Sequence, residues 1–145
     1  MEKTNFEKLR VYKLAEDLAD GIWGVVLRWD YLAKDTVGKQ MIRAADSIGA
    51  NLAEGTGRGS VKDNRRFIRM ARGSLYETQH WLRRSFKRNL LTEQQVETLR
   101  PLINELSPKL NAYLRSVTSA ADLQSTKCKV QSSKYKAQSS KLKAQ

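Results

Sequence analysis

Gln40-Met41-Ile42-Arg43-Ala44-Ala45-Asp46-Ser47-Ile48-Gly49-Ala50-Asn51-Leu52-Ala53-Glu54-Gly55-Thr56-Gly57-Arg58-Gly59-Ser60 is the stretch on which the fold turns. Up to Glu54 its apolar residues recur at steps of three and four. Met41, Ala44 or Ala45, Ile48 and Leu52 therefore share one face of a helix running from about Val37 to Glu54. From Gly55 onward, three glycines in five residues end the pattern, because glycine reaches positive φ without steric cost. Ser60 then offers a hydroxyl to cap a new helix. Asp63 falls at its third position, where a carboxylate suits the positive end of the helix dipole. A helix that stops, turns over a few residues and restarts runs back beside itself.

Outward from this stretch the same periodicity persists. Toward the N-terminus a first helix spans about Phe6 to Trp29. Its buried stripe is Val11, Ala15, Leu18, Ile22 and Val26, and Thr4 or Asn5 is placed to cap it. Gly21 and Gly24 leave small surfaces where a neighbour can approach. Asp30 to Thr36 reads as a connection. Toward the C-terminus the third helix covers about 61 to 89. One interior flank is Phe67, Ala71, Ser74, Thr78, Trp81 and Ser85, and the other is Ile68, Leu75, Leu82 and Phe86. Asn89 is its expected C-cap. Thr92 caps a fourth helix in which Val96, Leu99, Leu102 or Ile103, Leu106, Leu110, Tyr113 or Leu114 and Val117 repeat every three or four residues. Pro101 and Pro108 lie within that pattern. Each lacks a backbone donor and clashes with the preceding turn, so a kink or restart is expected there. The sum is an all-α, antiparallel up-down-up-down four-helix bundle over residues 1–117.

Residues 118–145 differ in kind. They are Ser, Lys, Gln and Ala, with six Lys and one Asp. A seven-residue unit repeats: Lys129-Val130-Gln131-Ser132-Ser133-Lys134-Tyr135, then Lys136-Ala137-Gln138-Ser139-Ser140-Lys141-Leu142. Its apolar positions are spaced two and five apart, which rejects a coiled coil. The composition buries too little to offset chain entropy, and so predicts a low-complexity extension, disordered or loosely helical.

The whole chain carries 27 Lys and Arg against 15 Asp and Glu, a net +12. Such an excess attracts polyanions, with affinity that falls as salt rises. No secretory signal and no membrane span is legible, and one cysteine, Cys128, allows neither an internal disulfide nor a Cys-x-x-Cys zinc site. A cytoplasmic protein without metal or cofactor is expected. Catalysis is not expected either. The single histidine, His80, has no metal-ligand partner at helical spacing, the carboxylates are scattered, and Gly57-Arg58-Gly59-Ser60 lacks the strand that precedes a phosphate loop.

Two clusters remain. On the third helix Arg65, Arg69, Arg72, Tyr76, His80, Arg83 and Lys87 follow one another at steps of three and four, with Arg66, Arg84 and Arg88 beside them. Five fixed positive charges and an aromatic ring thus share a stripe with no acid. Arginine forks match phosphate oxygens, and a tyrosine ring can stack on an unpaired base. The alternative is an ordinary solvated face. On the second helix Arg43, Ser47, Asn51 and Glu54 accompany the apolar face, with Ser74 of the third helix as a candidate partner. Their favoured reading is architectural, a polar network fixing helix register; a recognition site is the other.

The residues that carry these clusters also carry a resemblance. Phe6-x-x-Leu9-x-Val11-Tyr12, the stretch Gln40 to Arg58, and Arg66-Phe67-x-x-x-Ala71-Arg72-Gly73-Ser74-Leu75-x-Glu77 resemble the four-helix bundle proteins named for intervening sequences in 23S ribosomal RNA genes. The likeness spans about residues 5–117 and leaves out the tail. It implies an antiparallel bundle assembled as a ring-shaped homopentamer, and it marks Arg43, Ser47, Asn51, Glu54, Gly55 and Ser74 as an architectural signature. A related protein, the accessory variability determinant of diversity-generating retroelements, is a basic pentamer that binds a reverse transcriptase and nucleic acid. The connection Trp29 to Thr36 departs from the family in lacking its usual Phe-Pro. Two functions follow as expectations. The first is a basic oligomer binding nucleic acid, RNA preferred, through Arg65, Arg69, Arg72, Tyr76, Arg83 and Lys87. The second is an oligomeric scaffold that docks an acidic or nucleic-acid-bearing protein such as a reverse transcriptase.

Overall fold

A computed structural model describes residue 6 and residues 9–144. Its elements are α1 (Arg10–Val26), a short turn α2 (Tyr31–Ala33), a π-helical turn (Lys34–Gly38), α3 (Lys39–Gly57), α4 (Val61–Lys87) and α5 (Glu93–Leu142). The described residues contain no strand, and the four long helices pack as a bundle. The packed pairs are α1 with α3, α3 with α4, α4 with α5, and α5 with α1, so the helices close a square. In two of these pairs the contacts run in opposite directions along the chain. Arg10 reaches Glu105, whereas a Cβ on Gly21 would lie 2.8 Å from Leu99. Gly55 touches Phe67, whereas Met41 touches Ser85.

The core is the stripe that the periodicity predicts. Leu18, Ile22, Met41, Ile48, Leu52, Ile68 and Leu106 are fully buried, with Val11, Ala15, Leu75 and Leu110 beside them. Each fully buried aliphatic side chain contributes about 1.5–3 kcal/mol. Burial of these stripes, not helix propensity, is what holds short helices in place.

The helix ends follow local chemistry. Ser60 accepts a hydrogen bond from the Asp63 amide at 3.3 Å, and Gly59 before it takes a left-handed φ of +69°. Thr92 and Gln95 form a reciprocal capping box, each side chain accepting from the other's amide. Asn89 is the left-handed residue that ends α4, with φ +57°. The Leu90 amide donates to the Ser85 carbonyl and the Asn89 amide to that of Phe86, a paired C-terminal closure.

Several expectations need revision, among them the end of the second helix: α3 runs past Glu54, through Gly55, to Gly57. The first helix begins at Arg10 rather than near Phe6, and Leu9 gives it no side-chain cap; Thr4 and Asn5 lie outside the described residues. It also ends at Val26, short of Trp29. The connection from Asp30 is itself helical: the Asp30 carboxylate accepts from the Ala33 amide at 2.9 Å, and Lys34 donates to the Leu27 carbonyl at the end of α1. Gly38 is held there because a Cβ would lie 2.7 Å from Val26. Gly21 meets a neighbour as expected, but Gly24 faces open space. Pro101 and Pro108 do not break α5 into two elements.

The tail continues α5 as helix through Leu142, where composition predicts a disordered or loosely helical chain. Beyond Pro108 it holds no proline or glycine, and Ala, Lys and Gln are good helix formers. From Asp122 to Ala144 every residue is exposed. A chain ending at Ala121 is therefore expected to keep its unfolding free energy within about 0.5 kcal/mol of the full chain, measured by denaturant titration.

One surface ion pair is a fork. Arg10 donates from Nε and Nη2 to the two oxygens of Glu105, both at 3.0 Å. These hydrogen bonds, with the Arg10 and Lys109 charges, hold the Glu105 carboxyl below its ordinary range against the opposing pull of burial. Its contribution is present at neutral pH and is lost as pH falls through that lowered value. Arg10→Gln is expected to move the Glu105 titration upward, as followed by NMR of its carboxyl carbon.

Among the described residues no helix is long and apolar enough to cross a membrane, and no group of three or more His, Cys, Asp or Glu is placed to hold a metal ion.

Candidate nucleic-acid interface

The stripe lies on α4, the helix fixed by the Ser60 cap at one end and the Asn89 closure at the other. Phe67, Ile68, Ala71, Leu75, Thr78 and Ser85 turn toward the core. With 3.6 residues per turn, positions 69, 76, 80, 83 and 87 are thereby turned outward. Arg69, Tyr76, His80, Arg83 and Lys87 are all exposed. Five of the seven stripe positions thus share one open face, and three of those five are permanent cations.

Arg65 and Arg72 differ. Both are half-buried, and Arg72 donates to Asn111 of α5 at 3.4 Å. The Nε of Arg65 is buried and makes no hydrogen bond. Neighbouring Asn64 donates to the Tyr113 hydroxyl at 3.3 Å. Arg72 therefore leans on α5, and its guanidinium group is partly held. Of the flanking arginines, Arg66 is drawn to Asp63 at 3.8 Å and lies over the Phe67 ring, 4.9 Å from its centre, while Arg84 and Arg88 are exposed.

The second cluster resolves into local bonds. The Ser47 hydroxyl donates to the Arg43 carbonyl, the Asn51 amide to the Ser47 carbonyl, and the Ser74 hydroxyl to the Met70 carbonyl. Each bond lies within its own helix, so the expected Ser74 link across to α3 is not made. Glu54 pairs with Arg58 one turn on. Gly55 is the member that joins two helices. A Cβ there would lie 2.6 Å from the Asn64 side-chain oxygen and 2.9 Å from the Phe67 Cβ. The glycine lets α3 and α4 close together just before the turn, which sets where the stripe begins.

Two outer grooves of the bundle differ in charge. The outer groove of α1 and α3 is lined by Glu16, Asp20 and Asp46 among small residues. Burial, and then the neighbouring Asp20 charge, raises the Asp46 carboxyl above its ordinary value. That groove repels a polyanion. The other groove, between α4 and α5, is bordered by Arg83, Lys87 and Arg100 and floored by aliphatic residues. Sequence periodicity assigns Phe86 to the interior, yet it stands 51% exposed at this groove.

Comparison with known proteins agrees with this architecture. A family model described as 23S rRNA-intervening sequence protein matches residues 7–112. No curated protein matches the chain. A solved structure from Bacteroides thetaiotaomicron, described as a protein with unknown function from the S23 ribosomal protein family, is similar. It has 23% sequence identity and a TM-score of 0.63, over 72% of this chain and 97% of that one. At that identity the likeness is one of fold.

Proposed function

We propose, for a chain that belongs to the 23S rRNA-intervening sequence protein family, a role as a basic, non-catalytic binding module. Its α4 face takes nucleic acid, RNA preferred, with little dependence on sequence. The supporting observation is the open stripe of Arg69, Tyr76, Arg83 and Lys87, with no carboxylate at its own positions. Guanidinium and ammonium groups along one line contact phosphates, which carry no sequence information. Tyr76 supplies a ring for stacking, which every base accepts. Arg72, already hydrogen-bonded to Asn111, gives up less side-chain entropy on contact than a free side chain would.

A homo-oligomer fits the same reading. Trp23, Leu27, Tyr31 and Leu32 are exposed at the end of α1 and in α2, and such apolar side chains mark association surfaces. Trp29, between them in sequence, is packed against the core. A closed ring, the pentamer that the family resemblance implies, would repeat the stripe and multiply its avidity. The reading is tested by fluorescence anisotropy with two labelled single-stranded RNAs of unrelated sequence. Comparable affinities for both are expected. Strong preference for one, or no binding to either at low salt, would overturn it.

A further inference from the structure

We propose that the groove between α4 and α5 is a docking site for an acidic amphipathic helix of a partner protein. This goes beyond nucleic-acid binding, although the groove shares Arg83 and Lys87 with the stripe. The groove has a volume of about 510 Å³. Leu82, Phe86, Leu91, Val96, Leu99 and Ile103 form its floor. Leu91 and Leu99 are buried, and Phe86 is half outside although its place in the α4 pattern is that of an interior residue. An interior-type ring with nothing over it is an apolar surface prepared for a cover.

The rim says what chemistry the cover has. Arg83 and Lys87 stand on the α4 side and Arg100 on the α5 side. No carboxylate lines the groove. Among the described residues, these three cations take part in none of the ion pairs that engage Arg10, Lys39, Arg58, Arg66 and Lys109. Cations on both banks of an apolar floor complement a helix whose apolar stripe is flanked on both sides by Asp or Glu. The α4 lining runs from Gln79 to Lys87, about 12 Å along the helix. That length seats two turns of a partner, with anchors at i, i+3 or i+4, and i+7.

The chain's own tail is the wrong cover. It carries six lysines, which the rim repels. It also leaves along α5 away from the groove, with Leu142 about 60 Å beyond Ile103. The aliphatic floor favours a helix over nucleic acid as well, since five of its six residues offer a base no ring to stack on.

The test uses the full-length protein and two labelled model peptides. Both carry leucine at i, i+3, i+4 and i+7; one has glutamate flanks and the other lysine flanks. Fluorescence anisotropy is expected to show the glutamate peptide binding at least about tenfold tighter. Arg100→Glu and Phe86→Ala, both surface changes, are each expected to weaken it about tenfold, with circular dichroism verifying the fold. Arg69→Glu with Arg72→Glu, on the other part of α4, should leave peptide binding unchanged even where it abolishes RNA binding. Equal binding of the two peptides, no binding of either, or an Arg100→Glu variant that loses RNA but not peptide would each overturn the proposal. The last result would assign the groove to nucleic acid.

Discussion

Gly55→Ala is expected to destabilise the bundle by about 1–3 kcal/mol, although alanine is the better helix former. Gly55 lies inside α3, so propensity alone predicts a gain of about 1 kcal/mol. The added methyl group would meet the Asn64 oxygen at 2.6 Å and the Phe67 Cβ at 2.9 Å. Phe67 is buried, so it has little room to yield, and Asn64 is tied to Tyr113. The α3–α4 interface must open, and overpacking outweighs propensity. Gly24 and Gly73 are the internal controls. Both are helical, and a Cβ on either meets nothing within 4 Å. Gly24→Ala and Gly73→Ala are each expected to stabilise by about 0.5–1 kcal/mol. Denaturant unfolding of the three variants checks the sign. Destabilisation by all three to the same extent would show that the close approach at Gly55 is not the cause.

Arg69→Glu combined with Arg72→Glu is expected to weaken RNA binding by about tenfold to a hundredfold at low salt. A charge-assisted hydrogen bond to phosphate is worth about 1.5–3 kcal/mol, and the new carboxylates add repulsion. The salt dependence should flatten as well, by about 0.7 in the slope of log K against log salt for each single-strand phosphate that is no longer neutralised. Arg69 is exposed, so its reversal leaves the core alone. Arg72 is half-buried and gives up one 3.4 Å hydrogen bond to Asn111, a loss the fold is expected to tolerate. Thermal unfolding of the variant checks this, and unchanged RNA affinity in a folded variant would remove α4 as the binding face.

Much of this architecture is legible in the sequence because it rests on periodicity and on local end signals. Met41, Ile48 and Leu52 of α3 and Leu99, Leu106 and Leu110 of α5 are buried where their spacing puts them. Ser60, Asn89 and Thr92 end or start helices by bonds made within a few residues. What the sequence conceals depends on distant atoms. Gly55 reads as a turn glycine beside Gly57 and Gly59, but its reason is the approach of Phe67 from the next helix. Ser47 and Ser74 read as cross-helix partners, yet a hydroxyl on a helix already has the carbonyl four residues back within reach. Phe86 continues the apolar pattern of α4, but the pattern says nothing of whether a neighbour covers that position. The same holds for the stripe: spacing places Arg65 and Arg72 in line with Arg69, and only the folded structure shows both half-buried and Arg72 bonded to α5. For the tail, low apolar content explains why residues 122–144 are all exposed, while helix propensity alone sets their backbone.

Binding of nucleic acid by one cationic face of α4 through phosphate contacts is tested most directly by the affinity of the full-length protein for single-stranded RNA across a salt series, with the mass of the protein determined by light scattering in the same samples. About four to six phosphates neutralised by the stripe predict a slope of about −3 to −4 for log K against log salt, in a homo-oligomer whose mass does not change along the series. RNA affinity that is absent at low salt, or that ignores salt, would contradict the account.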